Sequence, residues 1–169
     1  MLSQKKSLSI LKRTNALLEG HFVLSSGLHS SKYIQCAKLL SFPHLANEIC
    51  QSLSQKLKEN FKKIDLILAP AMGGIIIGYE IGKLLKKETI FCERVKGKSS
   101  LECVKLIKKS KAKILGFACI INRSSKNNLK IKKKIISHLK ITIPTYKKNK
   151  LPNYLKSTPI SIPGSRFVK

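Results

Sequence analysis

Residues 64 to 87 read IDLILAPAMGGIIIGYEIGKLLKK, and their order of residue types decides the fold. Ile64 to Ala69 is a short, nearly continuous apolar run that Pro70 ends. Gly73 and Gly74 follow, and the apolar spacing of Ile75 to Lys87 is helical. The pattern is strand, glycine turn, helix. Upstream, Leu45, Ile49, Leu53, Leu57 and Phe61 recur every fourth residue between Pro43 and Lys63, which predicts an amphipathic helix lying on a sheet. Downstream, Thr89 to Val95 is a second strand candidate, followed by the loop Lys96-Gly97-Lys98 and a helix opening at Ser99. Ser99 with Glu102 fits a capping box, and Leu101, Val104 and Ile107 continue an apolar stripe. Lys113 to Ile121 predicts a third strand, rich in β-branched and aromatic residues, and Leu129 to Leu139 a further helix with a narrow apolar stripe.

Strands alternating with helices at this spacing indicate βαβ units and a parallel sheet, so the class is α/β. A length of 169 residues fits a single domain. Within it we distinguish an N-terminal segment 1–40, an α/β core 41–143 and a tail 144–169, where Pro144, Pro152, Pro159 and Pro163 predict an extended path over the domain surface.

Hydrophobic residues make up 43% of the chain and charged residues 25%, a balance that argues against wholesale disorder. The longest uncharged stretch, Leu66 to Tyr79, is broken by Pro70, Gly73 and Gly74 and is shorter than the roughly 20 apolar residues a membrane helix needs. Lys5, Lys6, Lys12 and Arg13 interrupt the N-terminus, which lacks the apolar core of a secretory signal, so the expected address is cytoplasmic. Five cysteines (36, 50, 92, 103, 119) contain no C-x-x-C pair, and three lie in apolar runs, which predicts buried free thiols in a reducing compartment.

Net charge is +26, yet only four of the 34 basic residues are arginines (13, 94, 123, 166). Lysine spread over the whole length lacks the arginine and aromatic clustering of a nucleic-acid reader, so nucleic acid is not the expected partner. Such a charge does raise encounter rates with polyphosphates. The histidines (21, 29, 44, 138) show no metal-ligand spacing, and neither a nucleophile elbow nor a Walker lysine is present.

In open parallel sheets, ligands bind beyond the carboxyl ends of the strands, where helix N-termini meet anions. Two such places are visible. Ala71-Met72-Gly73-Gly74 is either a tight packing turn or a backbone cradle for phosphate. Gly97-Lys98-Ser99-Ser100 is either a simple helix cap or a phosphate site of amides, hydroxyls and a cation.

Beside these turns, the segment 16–36, ALLEGHFVLSSGLHSSKYIQC, resembles orotate phosphoribosyltransferases, type I phosphoribosyltransferases of pyrimidine (UMP) synthesis. LILAPAMGG (66–74) is similar to the family's pyrophosphate loop, FCER (91–94) to the strand entering its active-site loop, and INRS (121–124) to the strand end that meets orotate. LPNYL (151–155) and IPGSR (162–166) resemble the C-terminus of a bacterial branch. The resemblance implies a Rossmann-like fold and transfer of the phosphoribosyl group from phosphoribosyl pyrophosphate (PRPP) to orotate, with Mg²⁺ accompanying PRPP and a homodimer as the assembly. It places Ser25, Ser26 and Gly27 on the orotate ring and carboxylate, Tyr33 and Ile34 on the pocket wall, and Arg123 against orotate. Met72, Gly73 and Gly74 would hold the pyrophosphate, and Arg94, Lys96, Gly97, Lys98, Ser99 and Ser100 the remainder of PRPP. Arg94 is the sole, weak candidate for a catalytic group, and no residue is assigned to a metal.

The family's strand ending in two adjacent acids and a Thr-Thr-Gly turn has no counterpart. The chain has no adjacent acidic pair, and its single aspartate, Asp65, opens a different strand. The flexible hood loop is missing as well. At the junction, either Glu93-Arg94 ends the earlier strand and a loop plus a central strand are lost, or FCERVKGKSS stands in for the lost strand and turn. In the second alignment Glu93 is kept, Arg94 replaces the second acid and Lys96 replaces a threonine. A central strand buries three or four large apolar side chains, worth about 5–12 kcal/mol in total, against a whole-domain stability of about 5–15 kcal/mol. We therefore expect Thr89 to Val95 to fill the vacant place beside Ile64 to Ala69. A second functional reading follows from the same loss: a catalytically inactive relative that binds orotate or another anion, or serves as a subunit of a heteromer.

Overall fold

The computed structural model describes residues 1–92, 104, 107, 109–124 and 133–161. Helix α1 (Gln4–Arg13) starts where the Ser3 hydroxyl accepts the Lys6 amide at 3.2 Å, and it ends with Lys12 and Arg13 against the negative end of its dipole. Strands β1 (Leu17–Val23) and β2 (His29–Ile34) form an antiparallel hairpin, with a bulge between Glu19 and Phe22. Short α2 (Cys36–Leu40) leads into α3 (Pro43–Asn60), which has proline in its first turn and buries Leu45, Ile49, Leu53 and Leu57. These are four of the five positions in the sequence stripe.

Strand β3 (Leu66–Pro70), helix α4 (Ile75–Leu85) and strand β4 (Glu88–Cys92) form the predicted βαβ unit, with β3 and β4 parallel from Leu66↔Glu88 to Pro70↔Cys92. Val104 and Ile107 are helical, in keeping with the downstream stripe, whose predicted start at Ser99 lies outside the described residues. Strand β5 (Gly116–Asn122) runs parallel to β6 (Lys134–Lys140). This corrects the helix expected over 129–139. Ile136 and Leu139 lie at helical spacing, but they are buried from a strand that has β5 as its partner.

The tail does lie on the surface of the N-terminal segment, and it adds strands there. β7 (Thr145–Tyr146) pairs with β2 and β8 (Ile160–Ser161) with β1, giving the order β7-β2-β1-β8. Thr158 is held by His21, whose Nδ1 lies 3.1 Å from its carbonyl oxygen.

The expectation of a repaired sheet is half met. β4 lies beside β3, yet among the described residues no ladder joins β3–β4 to β5–β6, so a gap remains. Helix packing bridges it. Leu53 and Leu57 of α3 share one apolar cluster with Ile136 of β6, Ile81 of α4 and Ile67 of β3. A second cluster joins Ile10 and Leu11 of α1, Leu17 of β1, Ile49 of α3, Ile120 of β5 and Leu139 of β6. Cys36, Cys50 and Cys119 are free thiols, but Cys92 is disulfide-bonded, which corrects the expectation of free cysteines throughout.

Candidate functional site

The turn after β3 is built by close packing. The amide of Gly74 donates to Pro70 O at 3.0 Å, and that of Ile75 to Met72 O at 3.2 Å. A Cβ on Gly74 would stand 2.7 Å from Pro70 O and 2.8 Å from Pro70 Cδ, so the turn requires glycine there. The Ala71 amide donates to Cys92 O at 2.9 Å, which ties the turn to the carboxyl end of β4. The Ala71-Met72 peptide is cis. Ala71 is buried, while Met72 and Gly73 are exposed at the N-terminus of α4, where a helix end favours an anion.

Ser25, Ser26 and Gly27 form the exposed tip of the β1–β2 hairpin. Leu24 N–H donates to Leu28 O and Gly27 N–H to Leu24 O, both at 2.8 Å, and Gly27 has φ +76°, which suits glycine. Among the described residues neither serine donates to a protein group, so both hydroxyls face outward unengaged. Tyr33 and Ile34 are neighbours on β2 and so face opposite sides of it. Tyr33 packs on Phe22, with ring centroids 5.8 Å apart, whereas Ile34 packs against the core.

Arg123 follows β5 directly and is exposed. It lies close enough to Cys36, at the start of α2, that its charge partly offsets the upward push that burial gives the Cys36 thiol. Asn122 Oδ1 accepts from Ser124 N–H at 2.9 Å and from Ser124 O–H at 2.6 Å, closing a side-chain turn around Arg123. Sequence reading named only the arginine. The signal for its neighbours was the N-x-S spacing of an Asx-type turn.

Arg94, Lys96, Gly97, Lys98, Ser99 and Ser100 lie outside the described residues. No described group of three or more His, Cys, Asp or Glu is placed to hold a metal ion. Asp65 precedes β3, at the end of the strand opposite the 71–74 turn. Glu80 is bound by Lys83 at 2.8 Å and Asn47 at 3.1 Å, and Glu19 by Lys12 and Lys32; the hydrogen bond from Lys32, with the charges of both lysines, holds the Glu19 carboxyl below the usual range. The described residues thus do not fit a resident Mg²⁺. No described helix is long and apolar enough to cross a membrane.

No family model matches the chain. Curated relatives do. An orotate phosphoribosyltransferase of Parvibaculum lavamentivorans is 36% identical over 194 aligned positions, covering 99% of this chain and 100% of the relative. One from Caldicellulosiruptor saccharolyticus is 34% identical over 194 positions with the same coverage. Because 194 positions exceed the 169 residues by 25, at least 25 positions face gaps in this chain, and the end-to-end coverage makes those gaps internal.

Among solved structures, an orotate phosphoribosyltransferase from Aeropyrum pernix superposes with TM-score 0.65 at 18% identity, covering 79% of this chain and 92% of that one. UMP synthase of Leishmania donovani gives TM-score 0.70 at 14% identity over 82% of this chain, which spans 36% of that longer protein. These likenesses establish the type I phosphoribosyltransferase fold. Identity above one third, sustained from end to end of a relative across internal gaps, is shared descent: the chain belongs to the orotate phosphoribosyltransferase family.

Proposed function

We infer that the protein is an orotate phosphoribosyltransferase, acting in pyrimidine (UMP) synthesis. The observation that carries this is the end-to-end similarity to curated relatives of that name. The geometry agrees with it, since the 71–74 turn and Arg123 both stand at carboxyl ends of parallel strands. In the reaction the bond from PRPP C1 to pyrophosphate breaks, orotate N1 gives up its proton to solvent and bonds to C1, and pyrophosphate leaves with its electron pair. Positive charge develops on the ribose, so stabilisation of charge matters more than a nucleophilic side chain.

Arg123 pairs with the orotate carboxylate, and Ser25, Ser26 and Gly27 offer hydrogen bonds to orotate from the hairpin tip. Tyr33 supplies an aromatic face, while Ile34 contributes through backbone. Met72, Gly73 and Gly74 receive the pyrophosphate at the start of α4. On the resemblance, Lys98, Ser99 and Ser100, with Lys96 and Gly97, are assigned to the 5′-phosphate and Arg94 to the ribose. Mg²⁺ belongs to this reading as the counter-ion that PRPP brings with it.

A homodimer is part of the same proposal. Met72 in the turn before α4, Ile76 and Tyr79 on α4, and Phe91 on β4 are large apolar side chains left more than half exposed. A cytoplasmic address is proposed as well. The free thiols of Cys36, Cys50 and Cys119 support it, and the Cys92 disulfide does not.

A second reading, an inactive family member that retains an orotate or anion pocket, is favoured by one observation. Among the described residues no Asp or Glu stands at the carboxyl end of β3, β4, β5 or β6, where it could accept ribose hydroxyls. The deciding experiment is orotate consumption with PRPP and Mg²⁺ at high protein concentration. Turnover that Arg123→Ala abolishes supports the enzyme. A folded protein that binds orotate without turnover establishes the second reading.

A further inference from the structure

We infer that Asn122 is a positioning residue for Arg123, fixing through Ser124 the direction in which the guanidinium leaves the carboxyl end of β5. The inference rests on the reading in which Arg123 meets the orotate carboxylate.

Asn122 is pinned on its backbone side. It pairs with Lys140 in the β5–β6 ladder, and its carbonyl accepts the Ile141 amide at 3.0 Å. Its side chain then spans Arg123 and takes both donors of Ser124, the amide at 2.9 Å and the hydroxyl at 2.6 Å. The orientation of the amide group follows from chemistry. A backbone N–H only donates, so the oxygen and not the NH₂ faces it, and the two lone pairs of Oδ1 suffice for both bonds. The residues on either side of Arg123 are half-buried and locked, while Arg123 itself is exposed and forms no described salt bridge.

That arrangement suits recognition of a planar carboxylate. Bidentate pairing needs the guanidinium plane aligned with its target, and a long side chain on a loose loop end loses much of the interaction to ordering. Fixing φ and ψ on both sides of Arg123 removes part of that loss before orotate arrives. The nearby Cys36 thiol stays neutral under the push of burial, so it does not compete as an anion for the guanidinium.

The test is calorimetric titration of the full chain with orotate, with melting temperatures recorded for each variant. Arg123→Ala is expected to weaken binding most. Asn122→Ala and Ser124→Ala should each weaken it about three- to tenfold, the scale of one or two hydrogen bonds. The Asn122→Ala/Ser124→Ala double variant should lose no more than the larger single loss, because both act through one turn. Ser124→Thr should bind within about threefold of the wild type, since a threonine hydroxyl and amide donate the same two bonds. In an Arg123→Ala background, Asn122→Ala should leave the affinity unchanged, which a merely structural role would not produce.

If Arg123→Ala weakens binding but Asn122→Ala and Ser124→Ala do not, or if Asn122→Ala weakens it equally without the arginine, the inference alone is overturned. If Arg123→Ala leaves binding unchanged, or the wild type binds no orotate, the underlying reading fails and takes the inference with it.

Discussion

The imidazole of His138 sets a pH dependence of stability that can be worked out from its surroundings. Ser7 Oγ lies 2.8 Å from the Ser3 carbonyl oxygen and 2.7 Å from His138 Nε2. The carbonyl can only accept, so the serine proton goes to it, and His138 carries its own proton on Nε2 and donates to Ser7. Nδ1 is then a buried lone pair without a partner. Protonation there would create a buried N–H with no acceptor, on a strand whose Ser137 and His138 carbonyls already hold the Lys56 ammonium at 3.3 Å and 2.7 Å. Burial, and then the Lys56 charge, accordingly bring the group down from 6.5 to about 4.

Below pH 6.5 the unfolded chain takes up a proton that the folded chain refuses. This contribution is therefore complete above about pH 6.5, is lost as the pH falls toward 4, and is constant below that. At about 1.4 kcal/mol per pH unit, the loss amounts to about 3 kcal/mol. Urea unfolding of the wild type and His138→Phe, followed by circular dichroism between pH 7.5 and pH 4, measures it. Other titrating groups are present in both proteins and cancel in the difference. The stability advantage of the wild type should shrink by about 3 kcal/mol over that range. A difference that stays flat within about 1 kcal/mol would refute the account of a neutral imidazole with a blocked second nitrogen.

Two further outcomes are expected from packing. Gly74→Ala places its Cβ 2.7 Å from Pro70 O, so the turn must shift, with about 1–3 kcal/mol lost from stability and PRPP affinity reduced in titration calorimetry; unchanged values for both would remove Gly74 from the account. Leu53→Ala empties a fully buried position in the cluster that links α3, α4, β3 and β6, and should cost about 2–5 kcal/mol in urea unfolding, so a loss under about 1 kcal/mol would show that α3 does not bridge the sheets.

The sequence was legible where one local period matched one environment. The stripe Leu45, Ile49, Leu53, Leu57 became the buried face of α3, and Ile64 to Lys87 became strand, turn and helix because Pro70 and Gly74 mark where the chain must change direction. Residues 134–140 were misread because buried positions in a strand of mixed exposure can fall at helical intervals, and what decides the matter is the long-range partner β5. The N-terminal sheet was invisible for a related reason. Its outer strands are two-residue pieces, Thr145–Tyr146 and Ile160–Ser161, which have no pattern of their own and exist through pairing with the hairpin. In the proposed site, Arg123 was named by resemblance. Asn122 and Ser124 were not, because their contribution is a hydrogen-bonded geometry and not a residue type known to meet substrate.

Among the described residues the parallel strands form two separate pairs. Arg123 stands with β5–β6 and the 71–74 turn with β3–β4; among the described residues no ladder connects the two parallel pairs, and the apolar cluster around α3 spans them. An apolar cluster holds two surfaces together but tolerates small sliding, whereas a ladder fixes register to the residue. Each half can therefore keep the ligand contacts proposed for it, since those would be set within the half: the Asn122–Ser124 turn on one side, the Gly74–Pro70 packing on the other. Catalysis asks for more, because PRPP C1 and orotate N1 must meet within a fraction of an ångström, and misplacement by about 1 Å is worth on the order of 10² in rate. The acids that would hold the ribose between the halves are the groups for which this chain has no adjacent pair. Loss of the segment thus falls on turnover before it falls on the binding of orotate, and the ratio of the two measures how far α3 replaces a strand.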